Sequence, residues 1–388
     1  MTSSVLAAAF LFNLGQGVLR PAMPLYLQQA FGASYRMVTL IPMVFGAGRW
    51  GASLPTGHWL DRLGRRRMMV TGLTLIACCD VGSALASRYG SFLGWRALAG
   101  AGWAMFATVA TTTMVDTSAA RRARRVSALL MSESLGLLVG SAASGWTYQG
   151  LGPRTPFGVE ATCMLAAALV VWRTAPASLG QPVPAAAPRW RDLLGVLRTP
   201  GVVRMGLANA GLVAVQTGVV VFLLPLYWLN RVGLDPGAVG LLVSVSIFGR
   251  LLALALAGGI VDPGHRRRAL SIGLVAHAVL LGAVTVVAGA FALGVWSLAL
   301  GAAAGLVAPL PAAIVGDLVT PAERARAIAW FRTMTDAGQI LGPLVLGAMA
   351  DAANIATPFG AAAALLMAAA WIARRPRRTS SRRSTTRR

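Results

Sequence analysis

The stretch GHWLDRLGRRR, residues 57–67, returns 201 positions later as GGIVDPGHRRR, residues 258–268, and nothing else in the chain constrains the fold as much. Gly57, Asp61, Arg65, Arg66 and Arg67 recur as Gly258, Asp262, Arg266, Arg267 and Arg268. With the same offset and no gap, Pro24, Leu25 and Tyr26 map onto Pro225, Leu226 and Tyr227, Gly48 and Arg49 onto Gly249 and Arg250, Gly72 and Leu73 onto Gly273 and Leu274, and Asp116 onto Asp317. A period of this length is too long for a solenoid and marks two copies of one half-domain.

The apolar runs say what fills each copy. Hydrophobic residues make up 56% of the 388 and charged residues 12%. Runs of roughly 20 apolar residues follow one another, and as helices they cross a ~30 Å hydrocarbon core. Six fall in the first copy: 4–27, 37–58, 68–87, 91–114, 126–147 and 156–173. Six more follow at 204–227, 238–260, 269–289, 293–315, 327–349 and 357–373. An even number of crossings returns the chain to its starting side, so the copies are parallel, related by an axis along the membrane normal. The expected fold is an all-α membrane protein with two six-helix bundles, residues 1–173 and 204–373. A cytoplasmic linker, 174–203, joins them, with a short amphipathic helix around Trp190 to Leu197. A basic tail, 374–388, is expected to lie disordered against anionic headgroups or to anchor the topology.

All 35 basic residues are Arg. With the N-terminus cytoplasmic, the even-numbered breaks and the tail, counted with Arg173 and Arg204 at the span ends that border the linker, hold 26 of them, and the opposite loops hold four, Arg36, Arg88, Arg154 and Arg231. That asymmetry predicts a multi-pass protein of the cell's inner membrane with both termini inside. The net charge of +23 is split among short loops without interleaved aromatics, so nucleic acid is not an expected partner. A monomer in the lipid bilayer is expected.

Within the first span, Leu14 and Gly15 followed by Pro21 and Pro24 predict a break near the outer end, or a simple kink. Arg49, Asp80, Arg96, Glu133, Arg250, Arg332 and Asp336 are ionisable groups inside spans. Such groups cost ~3 kcal/mol or more in the bilayer and are read first as functional. Glu160 reads most simply as an anion at the N-terminus of span six. Small residues at Gly100 and Gly102, at Gly136 and Gly140, and at Gly338, Gly342 and Pro343 predict close helix contacts. Cys78, Cys79 and Cys163 lack metal-ligand spacing, and His58, His265 and His277 are scattered, so no metal or cofactor is expected.

On these residues the chain resembles the major facilitator superfamily over essentially its whole length. GHWLDRLGRRR resembles that superfamily's loop signature between helices two and three. Leu14 and Gly15 through Pro24, and Arg96 with Gly100 and Gly102, resemble signatures of its twelve-helix drug:proton antiporters. Ala99 stands where that branch usually has Gln, and Ser141 where it has Pro, so the likeness is to the superfamily before the branch. The resemblance implies a cytoplasmic latch in which Asp61 meets the start of helix eleven and Arg65 reaches Asp116. Asp262, Arg266 and Asp317 would mirror it, and Arg96 would belong to a proton-coupled site.

A bundle of parallel repeats with intramembrane charges reads independently as an alternating-access carrier. No Lys is present for a phosphate-binding P-loop and no nucleophile stands with a base, so the expected protein is not an enzyme. Proton-coupled efflux of a small lipophilic or drug-like solute is the function expected. An importer or uniporter for a sugar or other small metabolite, possibly anionic, shares the fold; a sensor or scaffold would need no titratable cavity groups.

Depth arithmetic adds two ion pairs. Arg49 and Arg250 each lie eight residues, ~12 Å, from Gly57 and Gly258. Asp336 is ~15 Å into span eleven from the same side, and Glu133 is at similar depth in span five. If span two packs on eleven and five on eight, Arg49 pairs with Asp336 and Arg250 with Glu133, with Arg332 a competitor for Asp336. In a rival arrangement both arginines stay free to hold an anionic substrate.

Overall fold

The computed structural model describes residues 2–115, 119–175, 199–257, 265–320 and 323–374, and the regular structure of these residues is helical throughout. Asp116, Gly258, Asp262, the linker helix expected near 190–197 and the tail beyond Arg374 lie outside the described residues, as do the side-chain positions of 53–61, Gly57 and Asp61 among them.

Span one is Thr2–Phe31. Spans two and three share Tyr35–Leu85 and are joined at Gly64, whose φ of 72° is open to a residue without Cβ. Spans four, five and six are Tyr89–Val115, Ala119–Leu151 and Thr155–Thr174. Span seven is Pro200–Val232, span eight Pro236–Ala257, span nine Arg266–Gly282, span ten Ala290–Leu318, span eleven Arg324–Ala352 and span twelve Thr357–Arg374. Nine of these helical stretches are long and apolar enough, among the described residues, to cross a membrane. Helix ends keep the offset of the sequence: Phe31 and Val232, Tyr35 and Pro236, Tyr89 and Ala290, and Leu151 and Ala352 all stand 201 apart.

The offset also reappears in packing. A Cβ on Gly48 would run into the Ala97 carbonyl and one on Gly100 into the Phe45 carbonyl. In the second half Gly249 meets the Leu298 carbonyl and Gly301 that of Ser246, each partner again 201 positions on. A helix backbone comes this close to another only where the facing residue has no Cβ, which explains these glycines without chemistry. The other rows act in the same way. Gly102 packs on Gly72, Gly136 on Phe10, Gly140 on Leu14, Gly338 on Ala210, Gly342 on Ala214, and Pro343 faces Gly218.

Span one does not break at its prolines. The helix runs unbroken through Pro21 and Pro24, braced where the Ser144 hydroxyl of span five donates to the Val18 carbonyl at 2.6 Å. The irregular helix is span seven instead, which winds as a π-helix over Gln216–Leu223 and again over Trp228–Val232. Pro225 has no N–H to give, and the wider winding re-pairs the backbone, Leu224 N–H reaching back five residues to Val219.

The halves meet along two antiparallel helix pairs, span two on eleven and span five on eight. On the face opposite the Arg65–Arg67 loop, here the far face, Asp351 accepts from the backbone N–H groups of Tyr35 at 2.8 Å and Arg36 at 2.9 Å. This places a carboxylate at the start of span two, where the helix N-terminus favours an anion. Nearby, Asn230 donates to Gln28 at 3.0 Å, and Gly145 lies against Pro236. Asp235 accepts from the Ala238 N–H at 3.0 Å, and that bond holds its carboxyl below the usual range. The far face is thereby closed.

Candidate functional site

A cluster of charges lies between spans one, three, four and six of the first half. Arg96 is 3% exposed, and Asp80 and Glu160 are wholly buried. The Arg96 guanidinium donates from Nη2 to Asp80 Oδ1 at 2.6 Å and from Nε to the Ser83 hydroxyl at 3.0 Å. Gln16 donates to Glu160 Oε1, and Arg20 Nε donates to Gln16 Oε1 at 3.2 Å. The two carboxyls neighbour one another, yet Asp80 Oδ2 and Glu160 Oε2 have no donor. Two carboxylates carry no hydrogen between them, so this contact becomes a hydrogen bond only when one proton is added.

In front of the cluster lies an internal cavity with two lobes. One lobe, about 150 Å³, is lined in part by Gln16, Arg20, Arg96, Thr217 and Gln339. The other, about 80 Å³, has Arg20, Ser141, Gln216, Trp228, Ser246 and Arg250 on its walls. They adjoin at Arg20 and Val221, and the remaining walls are apolar. The π-wound part of span seven supplies Gln216, Val220 and Val221 to the second lobe, and Leu224 follows directly after it. Irregular helix is tolerated at membrane depth where it lines such a space.

The depth arithmetic is right for one pair and wrong for the other. Arg49 Nη2 donates to Asp336 Oδ1 at 2.6 Å and to Gln339 at 2.9 Å, joining the halves, with its guanidinium 5.2 Å from the Trp103 ring. Arg332 is exposed and does not compete for Asp336. Arg250 and Glu133 form no ion pair. Span eight does run beside span five, Ser244 donating to the Leu138 carbonyl at 3.2 Å, but the Arg250 side chain opens to the cavity toward Arg20. Glu133 stays half-buried on span five.

Of the latch residues, Arg266 reaches Asp317 at 2.7 Å and Arg65 is buried at 7% exposure. Arg66 donates to the Trp172 carbonyl and lies over its ring at 4.4 Å, tying the loop to the end of span six. Glu160 is not simply a helix-terminal anion, because it lies inside the charge cluster. The sequence reading passed over Glu160, Gln16 and Arg20 as site residues. Counting turns from the far face would have found Glu160, which is five residues into its helix, with Asp80 five from the end of its own and Arg96 seven into its own; it would not have found Gln16 and Arg20, which lie deeper along span one.

Paired helical bundles around a mid-depth cavity backed by buried charge define a membrane carrier. The chain belongs to the major facilitator superfamily, which residues 5–236 and 206–388 match. It is 26% identical over 166 residues to "Multidrug resistance protein 2" of Bacillus subtilis (strain 168), 42% of this chain and 41% of that protein. To the "Chloramphenicol resistance protein" of Pseudomonas aeruginosa it is 32% identical over 194 residues, 47% and 44% of the two. The matched stretch thus spans less than half the length of either relative. In fold it is similar to the nucleoside transporter NupG, with a TM-score of 0.78 at 14% identity, over 96% of this chain and 98% of that one. At 14% identity the likeness to NupG is one of fold.

Proposed function

We propose that this chain is a secondary active transporter that carries a small, largely apolar solute across the membrane by alternating access, with Asp80, Arg96 and Glu160 as the seat of proton coupling. The observation that carries the proposal is the pair of donorless carboxyl oxygens buried directly behind a cavity between the halves. A buried pair of carboxyls lacking one proton is a group whose charge state changes with pH and whose Arg96 partner feels the change. The Arg-rich loops put the Arg65 face in the cytoplasm. A far face closed by Asp351, Asn230 and Gln28 then suits loading from inside.

Export of a lipophilic solute is the direction that the likeness to two resistance proteins supports. A second reading, uptake together with a proton, is favoured by the walls of the cavity, which carry arginines and no carboxylate. The test is accumulation of a panel of labelled solutes in cells expressing the protein, with and without a proton uncoupler. Expression should lower the accumulation of at least one solute, and the uncoupler or Glu160→Gln should remove the difference. Raised accumulation would establish uptake. Unchanged accumulation of every solute would reject a carrier for that panel's chemistry, and transport indifferent to the uncoupler would reject proton coupling.

A further inference from the structure

We infer that the solute is an amphipathic organic anion whose charged group sits between Arg20 of the first half and Arg250 of the second. This rests on the reading above of the cavity as the transport site and names what that site holds. Arg20 has Glu160 beside it, which attracts it, and Arg250 near enough to repel it. Both arginines line the same lobe, and among the described residues neither is in a salt bridge. Arg20 spends one donor on Gln16, and Arg250 has no hydrogen bond from its guanidinium. Arg20 is answered in part by Glu160, whereas Arg250, exposed on the cavity side, has no carboxylate partner among the described residues, and an anion seated between the two guanidiniums supplies one.

The rest of the lining agrees. Arg96 stands on the adjoining lobe, no carboxylate among the described residues lines either lobe, and the polar side chains besides the arginines and Trp228 carry hydroxyls and amides. The larger lobe is about 150 Å³, the size of an engineered apolar cavity that holds benzene, so the body of the ligand is of one or two rings. Because the guanidiniums come from opposite halves, a bound anion ties the halves together across the cavity, which is the contact that a rocking carrier has to remake in each state.

Proton and anion then reinforce each other. The charged and titratable groups around Asp80 and Glu160 are Arg96 from span four, Arg20 from span one, and the thiols of Cys79 and Cys163. Adding a proton to the two carboxyls removes one negative charge beside Arg20 and leaves the cavity more positive. By linkage the anion in turn favours the proton.

The experiment uses purified full-length protein in detergent and three probes with one aromatic body: naphthalene-2-sulfonate, the neutral naphthalene-2-sulfonamide, and naphthylmethylammonium. Binding is read by calorimetry. The sulfonate should bind at least tenfold more tightly than either analogue, and Arg250→Gln should remove that preference while Arg250→Lys keeps part of it. Sulfonate affinity should rise as pH falls, since the sulfonate itself stays ionised, and Glu160→Gln should flatten the rise. Equal or tighter binding of the ammonium or the sulfonamide would overturn the anion assignment while leaving a carrier with another substrate. Sulfonate binding unchanged by Arg250→Gln, in a variant whose unfolding temperature matches the parent, would overturn the site. Failure of all three probes at millimolar concentration would also overturn it, and the accumulation assay above would then decide separately whether the chain transports at all.

Discussion

Arg96 and Asp80 are buried together, and removing either strands the other in a medium that stabilises lone charge poorly. Arg96→Met leaves two carboxyls without their cation and should lower stability by about 3 to 5 kcal/mol. Arg96→Met with Asp80→Leu should recover part of that loss, read as thermal unfolding in detergent; a double variant no more stable than the single would show that the pair is not energetically coupled. Arg49 and Asp336 are a different case, with side chains 19% and 37% exposed. Each single reversal, Arg49→Asp or Asp336→Arg, should cost less, about 1 to 3 kcal/mol, and the swapped pair should restore much of it. These two pairs also separate what was legible from what was not. The Arg49 pair was reached by counting residues along two helices. Arg250 was placed at the right depth but given the wrong partner, because depth says nothing about which way a long side chain turns.

At the scale of elements, the repeated glycines make the sharpest prediction. Gly100→Val and Gly301→Val each push a side chain into a backbone carbonyl at pseudo-equivalent contacts, Phe45 and Ser246. Both should lose folded protein in comparable amounts, by roughly 1 to 3 kcal/mol or more, measured as yield and unfolding temperature. A large loss for one and none for the other would show that the symmetry of the backbone is not matched in energy. Asp235 caps the start of span eight, and Asp235→Ala should cost about 1 kcal/mol. Its folded pKa is lowered, so its contribution is present above the unfolded value near ~3.9 and is lost as pH falls through the folded value. Unfolding temperatures followed down to pH 3 should therefore converge for parent and Asp235→Ala. The uninterrupted first span shows where element-level reading fails: proline chemistry forecasts a freed carbonyl, but neighbouring helices decide whether the axis bends.

At the scale of the molecule, transport requires the far face to part. Gln28 and Asn230 bond across it from spans one and seven. In a background without the native cysteines, Gln28→Cys with Asn230→Cys joined by a short bifunctional thiol reagent should reduce solute movement at least tenfold. Cleaving a reducible linker should restore it; full transport in the cross-linked protein would mean that these ends need not separate. The orientation is tested by impermeant thiol reagents. A cysteine placed in 176–198 should label only from the cytoplasmic side, and labelling from outside would invert the assignment of faces.

The sequence by itself determined the class of fold, the number of crossings, the doubling at 201 residues and the location of the tight helix contacts. These depend on period, length and side-chain size, which are local properties of a chain read against a bilayer of given thickness. Tertiary structure decided which charges meet. Gln16, Arg20, Asp80, Arg96 and Glu160 come from spans one, three, four and six, so their junction depends on how four helices are rotated about their own axes. That rotation is set by packing against every neighbour at once. The same rotation left Arg20 and Arg250, from opposite halves, on the walls of one lobe whose described lining holds no carboxylate.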